Sequence, residues 1–135
     1  MSGSPSAPLL DAVYLRLSSD STLTTTLDCP VYDDVPDSDD FPYLVIGDLT
    51  EMPRDTMGKT GRDMTLTLHI WSQFKGNDQV MDIQNRVDAL LDRWSPTVTG
   101  WSAVQMVQEF FETFRDSDGI TRHGVSRYGI HIQAS

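Results

Sequence analysis

Between Met64 and Trp94 the apolar residues change their spacing once, and that change dictates a strand followed by a helix. Leu66, Leu68 and Ile70 alternate with Thr65, Thr67 and His69. In an extended chain this puts three apolar side chains on one face and three polar ones on the other. Val80, Ile83, Val87, Leu90, Leu91 and Trp94 then recur at steps of three and four, which makes the stripe of an amphipathic helix. Asn77 stands where an N-cap belongs and Asp78 suits the positive end of the helix dipole. Arg86 and Arg93 lie toward the other end, and Ser95-Pro96 is a stop signal. The unit has no chemistry of its own. It builds a core, and function has to be sought outside it.

A chain of 135 residues with 39% hydrophobic content has the size of one globular domain, here residues 1–135, with a single core. Twenty acidic residues face ten basic ones, giving a formal charge of −10. With two lysines and no basic run, a groove that grips nucleic acid is excluded, because such a groove needs a local excess of Lys and Arg. Like charge instead keeps DNA from sticking. Cys29 is the only cysteine, which rules out an intrachain disulfide and a thiolate zinc site. The opening MSGSPSAPLL lacks the basic flank and apolar run of a signal peptide. No apolar stretch approaches the roughly 20 residues of a membrane span. These features predict a soluble protein of a reducing compartment.

In chain order, residues 1–7 read as a flexible N-terminus. Pro8 fits a first helical position, and Leu9, Leu10, Val13, Tyr14 and Leu17 follow at helical spacing, so a helix is expected over about 8–19. Asp20 to Leu27 predicts a short further turn of helix. Val31 to Asp40 is an acidic, proline-punctuated connection. Tyr43 to Leu49 reads as a strand. Residues 50–63 contain Pro53, Gly58 and Gly61 without hydrophobic period, and predict a long irregular loop of the kind that serves function. The second helix is expected over about 77–94. Trp101 to Arg115 reads as a long strand with Val104, Met106, Phe110 and Phe114 on one side and Val107 and Phe111 on the other. Asp116 to Gly119 is a turn, and Val125 to Ile132 returns as a strand with Tyr128, Ile130 and Ile132 on one face.

The motifs that invite chemistry do not complete. Gly58-Lys59-Thr60 would need a glycine five residues before Gly58, where Pro53 stands, and a helix after it, where a strand is expected. Asp33, Asp34, Asp37, Asp39 and Asp40 lack the glycine and the glutamate of a calcium loop, since Ser38 and Leu44 hold those positions. His69, His123 and His131 are scattered, with no i, i+4 pair for a metal. No Gly-x-Ser-x-Gly elbow occurs. Trp71, Trp94 and Trp101 read as core or interface anchors, because no basic groove accompanies them. The sequence therefore predicts no enzyme, no metal site and no cofactor.

Several short signatures nevertheless stand in a recognisable order. They are Ala12, Leu15 and Leu17 in the first helix, Val31-Tyr32-Asp33 with Val35-Pro36, and Phe41-Pro42-Tyr43 leading into Val45-Ile46-Gly47. Asp55-Thr56 and a glycine-containing loop follow, then Leu66-Thr67-Leu68-His69-Ile70-Trp71-Ser72. Gly76 comes before the helix, and Asp118-Gly119 with Thr121-Arg122-His123-Gly124 before the last strand. In this order and spacing the chain, from about Leu9 to Ile132, resembles the tail-completion (tail-to-head joining) proteins of long-tailed bacteriophages and prophages, which include tail-terminator-like members.

The resemblance implies a single α+β domain, here a mainly antiparallel sheet of about four strands with helices 8–19 and 77–94 on one face. It also implies a virion structural protein that forms a homo-oligomeric, commonly hexameric ring at the head-proximal end of the tail tube. Such a ring is assembled in the host cytoplasm, stops tube polymerisation and joins the tube protein to a head connector or stopper, while DNA passes through the lumen without specific binding. No membrane, cofactor or catalytic residue is implied. Within that reading Met52, Pro53, Arg54, Met57, Lys59 and Arg62 become candidate contacts to a neighbouring subunit or the tube, three of the ten cations facing an acidic partner. The reading from a different class is a soluble acidic oligomeric module that binds another protein without catalysis.

Overall fold

The structure is a computed structural model that describes residues 4–34 and 41–134. Helix α1 (Ser6–Ser18) opens the chain and a single π-type turn (Thr22–Thr26) follows. The strands are β1 (Val31–Tyr32), β2 (Tyr43–Pro53), β3 (Gly61–Ser72), β4 (Trp101–Arg115) and β5 (Arg122–Ala134), with helix α2 (Asp78–Leu91) between β3 and β4. They form one sheet in the order β1-β2-β3-β5-β4. Four long strands pair antiparallel, as expected, and the two-residue β1 adds a short parallel pair with β2.

The core lies between the helices and one face of this sheet. Leu66, Leu68 and Ile70 of β3 and Tyr128, Ile130 and Ile132 of β5 are buried there, facing Val80, Ile83, Val87 and Leu91 of α2 and Leu9, Val13 and Leu17 of α1. Fully burying a side chain of this size contributes about 2 kcal/mol, so the α2 stripe alone outweighs any surface interaction in the molecule. Two β5 hydroxyls under α2 are paired, while the Gln84 amide nitrogen has no partner among the described residues. Ser126 donates to Gln84 Oε1 at 2.7 Å and Tyr128 donates to Asp88 at 3.2 Å. Asp20 ties the π-type turn to α2: its carboxylate accepts from Leu23 N–H at 2.8 Å and from the Arg86 guanidinium at 2.8 and 2.6 Å. The Arg86 hydrogen bond holds Asp20 below the usual carboxylate range.

Four expectations are corrected. The loop expected over 50–63 is shorter, because β2 continues to Pro53 and β3 begins at Gly61; Thr50 to Pro53 pair with Thr65 to Arg62. The N-terminal helix starts at Ser6 rather than Pro8, so the flexible segment expected over 1–7 is helical at its end, and residues 1–3 lie outside the described residues. The second helix stops at Leu91 instead of continuing to Trp94, and Asn77 makes no side-chain cap. Residues after Leu91 turn to cover the edge of β4: Arg93 N–H donates to Met106 O at 2.6 Å and Met106 N–H donates to Trp94 O at 3.2 Å. The Asp92 carboxylate accepts from Gln108 N–H at 2.8 Å. Arg93 takes a left-handed φ of 61° to make the turn, since pairing an exposed strand edge outweighs one more helical turn. Finally, β4 carries irregularities at Ser102/Gln105 and Gln108/Phe110. The second one reverses its faces, so Val104 and Met106 are buried, Phe111 packs on the core, and Phe110 and Phe114 point outward.

Helix α2 packs tightly on the sheet over Gly124. A Cβ built there would lie 2.7 Å from Val80 Cγ1 and 3.3 Å from the Phe111 ring. Gly124→Ala is expected to lower stability by about 1–3 kcal/mol through overpacking, measured by urea denaturation. Gly129→Ala meets only the mobile Glu109 side chain and should cost clearly less; equal losses would disprove the close-packing account.

Candidate assembly interface

The candidate residues gather on one projecting β-hairpin, the arm at the β2–β3 turn. Its tip is the pair Met57-Gly58, closed by reciprocal backbone bonds between Thr56 and Lys59 at 3.0 and 2.9 Å, with Gly58 at φ 82°. Its base is fixed at Gly61, whose carbonyl accepts from Arg54 N–H at 2.9 Å and whose N–H donates to Asp55 Oδ1 at 3.0 Å. No larger residue fits at Gly61, because a Cβ would run into the Arg54 carbonyl. The end of β5 braces the arm, Ala134 N–H donating to Thr60 O at 2.8 Å. Gly58-Lys59-Thr60 is thus a hairpin turn leading into a strand, not the start of a helix, and it offers phosphate no helix N-terminus.

The six candidates do not act alike. Met52 is 65% exposed and Met57 fully exposed, a pair of apolar side chains held out in solvent. Pro53, Arg54 and Lys59 are exposed as well. Arg62 is not. It sits on the core side of β3, bonded to Glu51 at 3.0 Å and to Asp55 at 3.5 Å, with its guanidinium 5.9 Å from the Trp101 ring. Arg54 pairs with Asp63 at 3.0 Å, an exposed pair worth at most about 1 kcal/mol. Two of the three cations expected to face a partner are therefore engaged within the chain. Asp63 also accepts from His131 at 2.9 Å, and that bond first, with Arg54 second, holds its carboxyl below the usual range.

The outer face of the sheet, away from the helices, carries a feature that sequence reasoning did not find. Register places Tyr43 opposite Trp71, Trp71 opposite His123, and His123 opposite Phe114. This aromatic row crosses β2, β3, β5 and β4. The Trp71 and His123 rings stack at 3.7 Å, and Phe114 meets His123 at 4.8 Å. His69 Nδ1 lies 2.8 Å from His123 Nε2, one ring donating its N–H to the other. Gly47 makes room for this pair, since a Cβ there would lie 2.7 Å from the His69 ring. Strand alternation puts His69 and Trp71 on one face, but their meeting with His123 depends on a pairing more than fifty residues distant along the chain.

Among the described residues no three His, Cys, Asp or Glu side chains converge as a metal site. Asp37, Asp39 and Asp40 lie outside the described residues. Cys29 is buried, and desolvation pushes its thiol up to about 12. Among the described residues no helix is long and apolar enough to cross a membrane.

A family model and a curated relative point to the same family. The family described as "Tail completion protein gp17" matches residues 11–133. The tail completion protein gp17 of Bacillus phage SPP1 is 31% identical over 94 residues, covering 70% of this chain and 69% of that protein. Among solved structures, a chain of the virion of a native gene transfer agent particle superposes with a TM-score of 0.88 at 16% identity, covering 98% of this chain and 100% of that one. The SPP1 gp17 structure superposes with a TM-score of 0.60 at 24% identity, covering 96% and 91%.

The histidine pair sets a pH dependence. Burial lowers the pKa of both rings; for His123 burial acts first and the neighbouring His69 second, bringing it to about 4. Asp48 beside His69 and Asp116 beside His123 oppose this only in part. Both rings thus take up a proton at lower pH in the folded state than in the unfolded chain, where they protonate near pH 6.5. The unfolded state then binds more protons between these values, so stability is complete above pH 6.5 and declines as pH falls toward 4. Melting temperatures recorded from pH 7.5 to 4.5 should fall, and His123→Phe should flatten that slope. An unchanged slope would show that the pair does not govern it.

Proposed function

The chain belongs to the tail completion protein gp17 family, and from that premise we propose that it is a structural subunit of a phage-type tail, without catalytic activity. Copies of it close a ring, six-fold in this reading, at the head-proximal end of the tail tube. The ring ends tube polymerisation and gives the head connector or stopper a surface to dock on. The finished subunit is a virion component, made and assembled in the host cytoplasm.

The observation that carries this reading is the extent of the family match, which runs from α1 through β5 and so takes in every element of the fold. The residues agree with it. A ring subunit needs no reactive site, and among the described residues no three His, Cys, Asp or Glu side chains converge. It needs projecting surface, and the β2–β3 arm supplies it, with Met52, Met57 and Lys59 outward and Pro53 and Arg54 at the base. Arg62 serves the arm from within the subunit, holding Glu51 and Asp55. A net charge of −10 suits a lumen through which DNA slides, because like charges do not adhere.

Purified tail tubes mixed with the protein should acquire one ring at the head-proximal end in negative-stain images and become competent to join heads. Tubes that stay bare and go on growing would sink this function. Met57→Asp combined with Lys59→Glu alters only exposed side chains, so stability should stay within about 0.5 kcal/mol of wild type while ring formation is lost. Normal rings from that variant would remove the arm from the interface.

A further inference from the structure

The two ends of the sheet are chemically unlike. The arm lies at one end, beside Gly61 and Ala134. The β4–β5 turn lies at the other, where Arg115 faces Arg122 and Ser72 ends β3. At this second end the aromatic row surfaces. Phe114 is 40% exposed on the outer face, and Phe74 and Ile120 are exposed beside the turn. Glu112, Asp116 and Asp118 outnumber Arg115 and Arg122 there, leaving one net negative charge over 112–122. Asp118 is fixed by the turn, accepting from Ile120 and Thr121 N–H at 2.8 Å each, and these bonds, with that from the Thr121 hydroxyl, keep it ionised.

At the arm end the balance is reversed. Arg54 is paired with Asp63 and Asp55 with Arg62, which leaves the Lys59 ammonium as the charge at the tip. Lys59 has no ion pair among the described residues, and Met57 has nothing around it. One end therefore offers a thioether and an ammonium, and the other offers aromatic and aliphatic carbon with carboxylates. Methionine sulfur associates favourably with aromatic rings, and an acidic chain gains most from placing its few free cations against its own acids. Neither end matches itself. Two unlike patches at opposite ends of one subunit pair head to tail, which is the kind of interface that closes into rings.

We propose that the arm of one copy docks on the aromatic end of the next copy, Met57 against Phe114 and Ile120 and Lys59 toward Asp116. This deepens the ring reading and rests on it: the partner of the arm is a second copy of this chain, not the tube. The occupant is chosen by complementarity of both charge and carbon, which a two-fold contact of like ends would not satisfy.

The test is cysteine cross-linking of Met57→Cys combined with Ile120→Cys, on protein added to tail tubes. The native Cys29 can stay, because it is buried and its thiol titrates only near 12. Mild oxidation should give a ladder of covalent oligomers up to ring size, and each single-cysteine variant only traces. Lys59→Asp should reduce the cross-linked fraction several-fold, and Asp116→Lys in the same chain should restore it. Rings visible on the tubes without a ladder would overturn this pairing and leave the ring reading standing. Tubes that carry no ring with the wild-type protein would overturn both.

Discussion

Everything in this fold depends on the contact between α2 and the inner face of β3 and β5. Val80, Ile83, Val87 and Leu91 meet Leu66, Leu68, Ile70, Tyr128 and Ile130 there with essentially no exposure. Gly124 sets how closely the helix can approach, with Val80 resting where a side chain would stand. This burial is large and non-directional, and what it leaves to directional bonds is small in number. Ser126 and Tyr128 are satisfied by α2 side chains, and Asp20 anchors the π-type turn to Arg86.

Because the helices occupy one face, the other face of the sheet is left for aromatic, histidine and charged side chains. The row from Tyr43 to Phe114 and the His69–His123 bond knit four strands across the direction of the backbone ladder. Edge protection follows the same economy. The β4 edge is covered at Met106 and Gln108 by residues 92–94, and at the other edge β1 caps β2. Covered edges keep a long-stranded protein from pairing indiscriminately.

The arm is held from within the chain. Arg54 and Arg62 are held by Asp63, Glu51 and Asp55, so they stiffen the hairpin and present its tip. The tip itself carries little besides Met57 and Lys59. The family match runs over residues 11–133, and the sheet it covers carries one protruding hairpin at the β2–β3 turn.

The sequence by itself determined the local elements whose period is strong: α1, β3, α2 and β5, the turn at Asp116 to Gly119, and the absence of a phosphate loop at Gly58-Lys59-Thr60. Each of these is written in residues close together, where burial of one face needs only spacing. It also carried the family resemblance, through short signatures in order. Tertiary structure decided the rest. It ended α2 at Leu91 although Trp94 continues the stripe, because β4 needed partners for Met106 and Gln108. A bulge near Gln108 exchanged the faces of Phe110 and Phe111, an event that alternation cannot reveal. Thr50 to Pro53 became strand because Thr65 to Arg62 lay alongside, and His69 met His123 only through the β3–β5 register. Such outcomes turn on which backbone groups find partners across the sheet, and that is fixed by contacts distant in the chain rather than by the residues themselves.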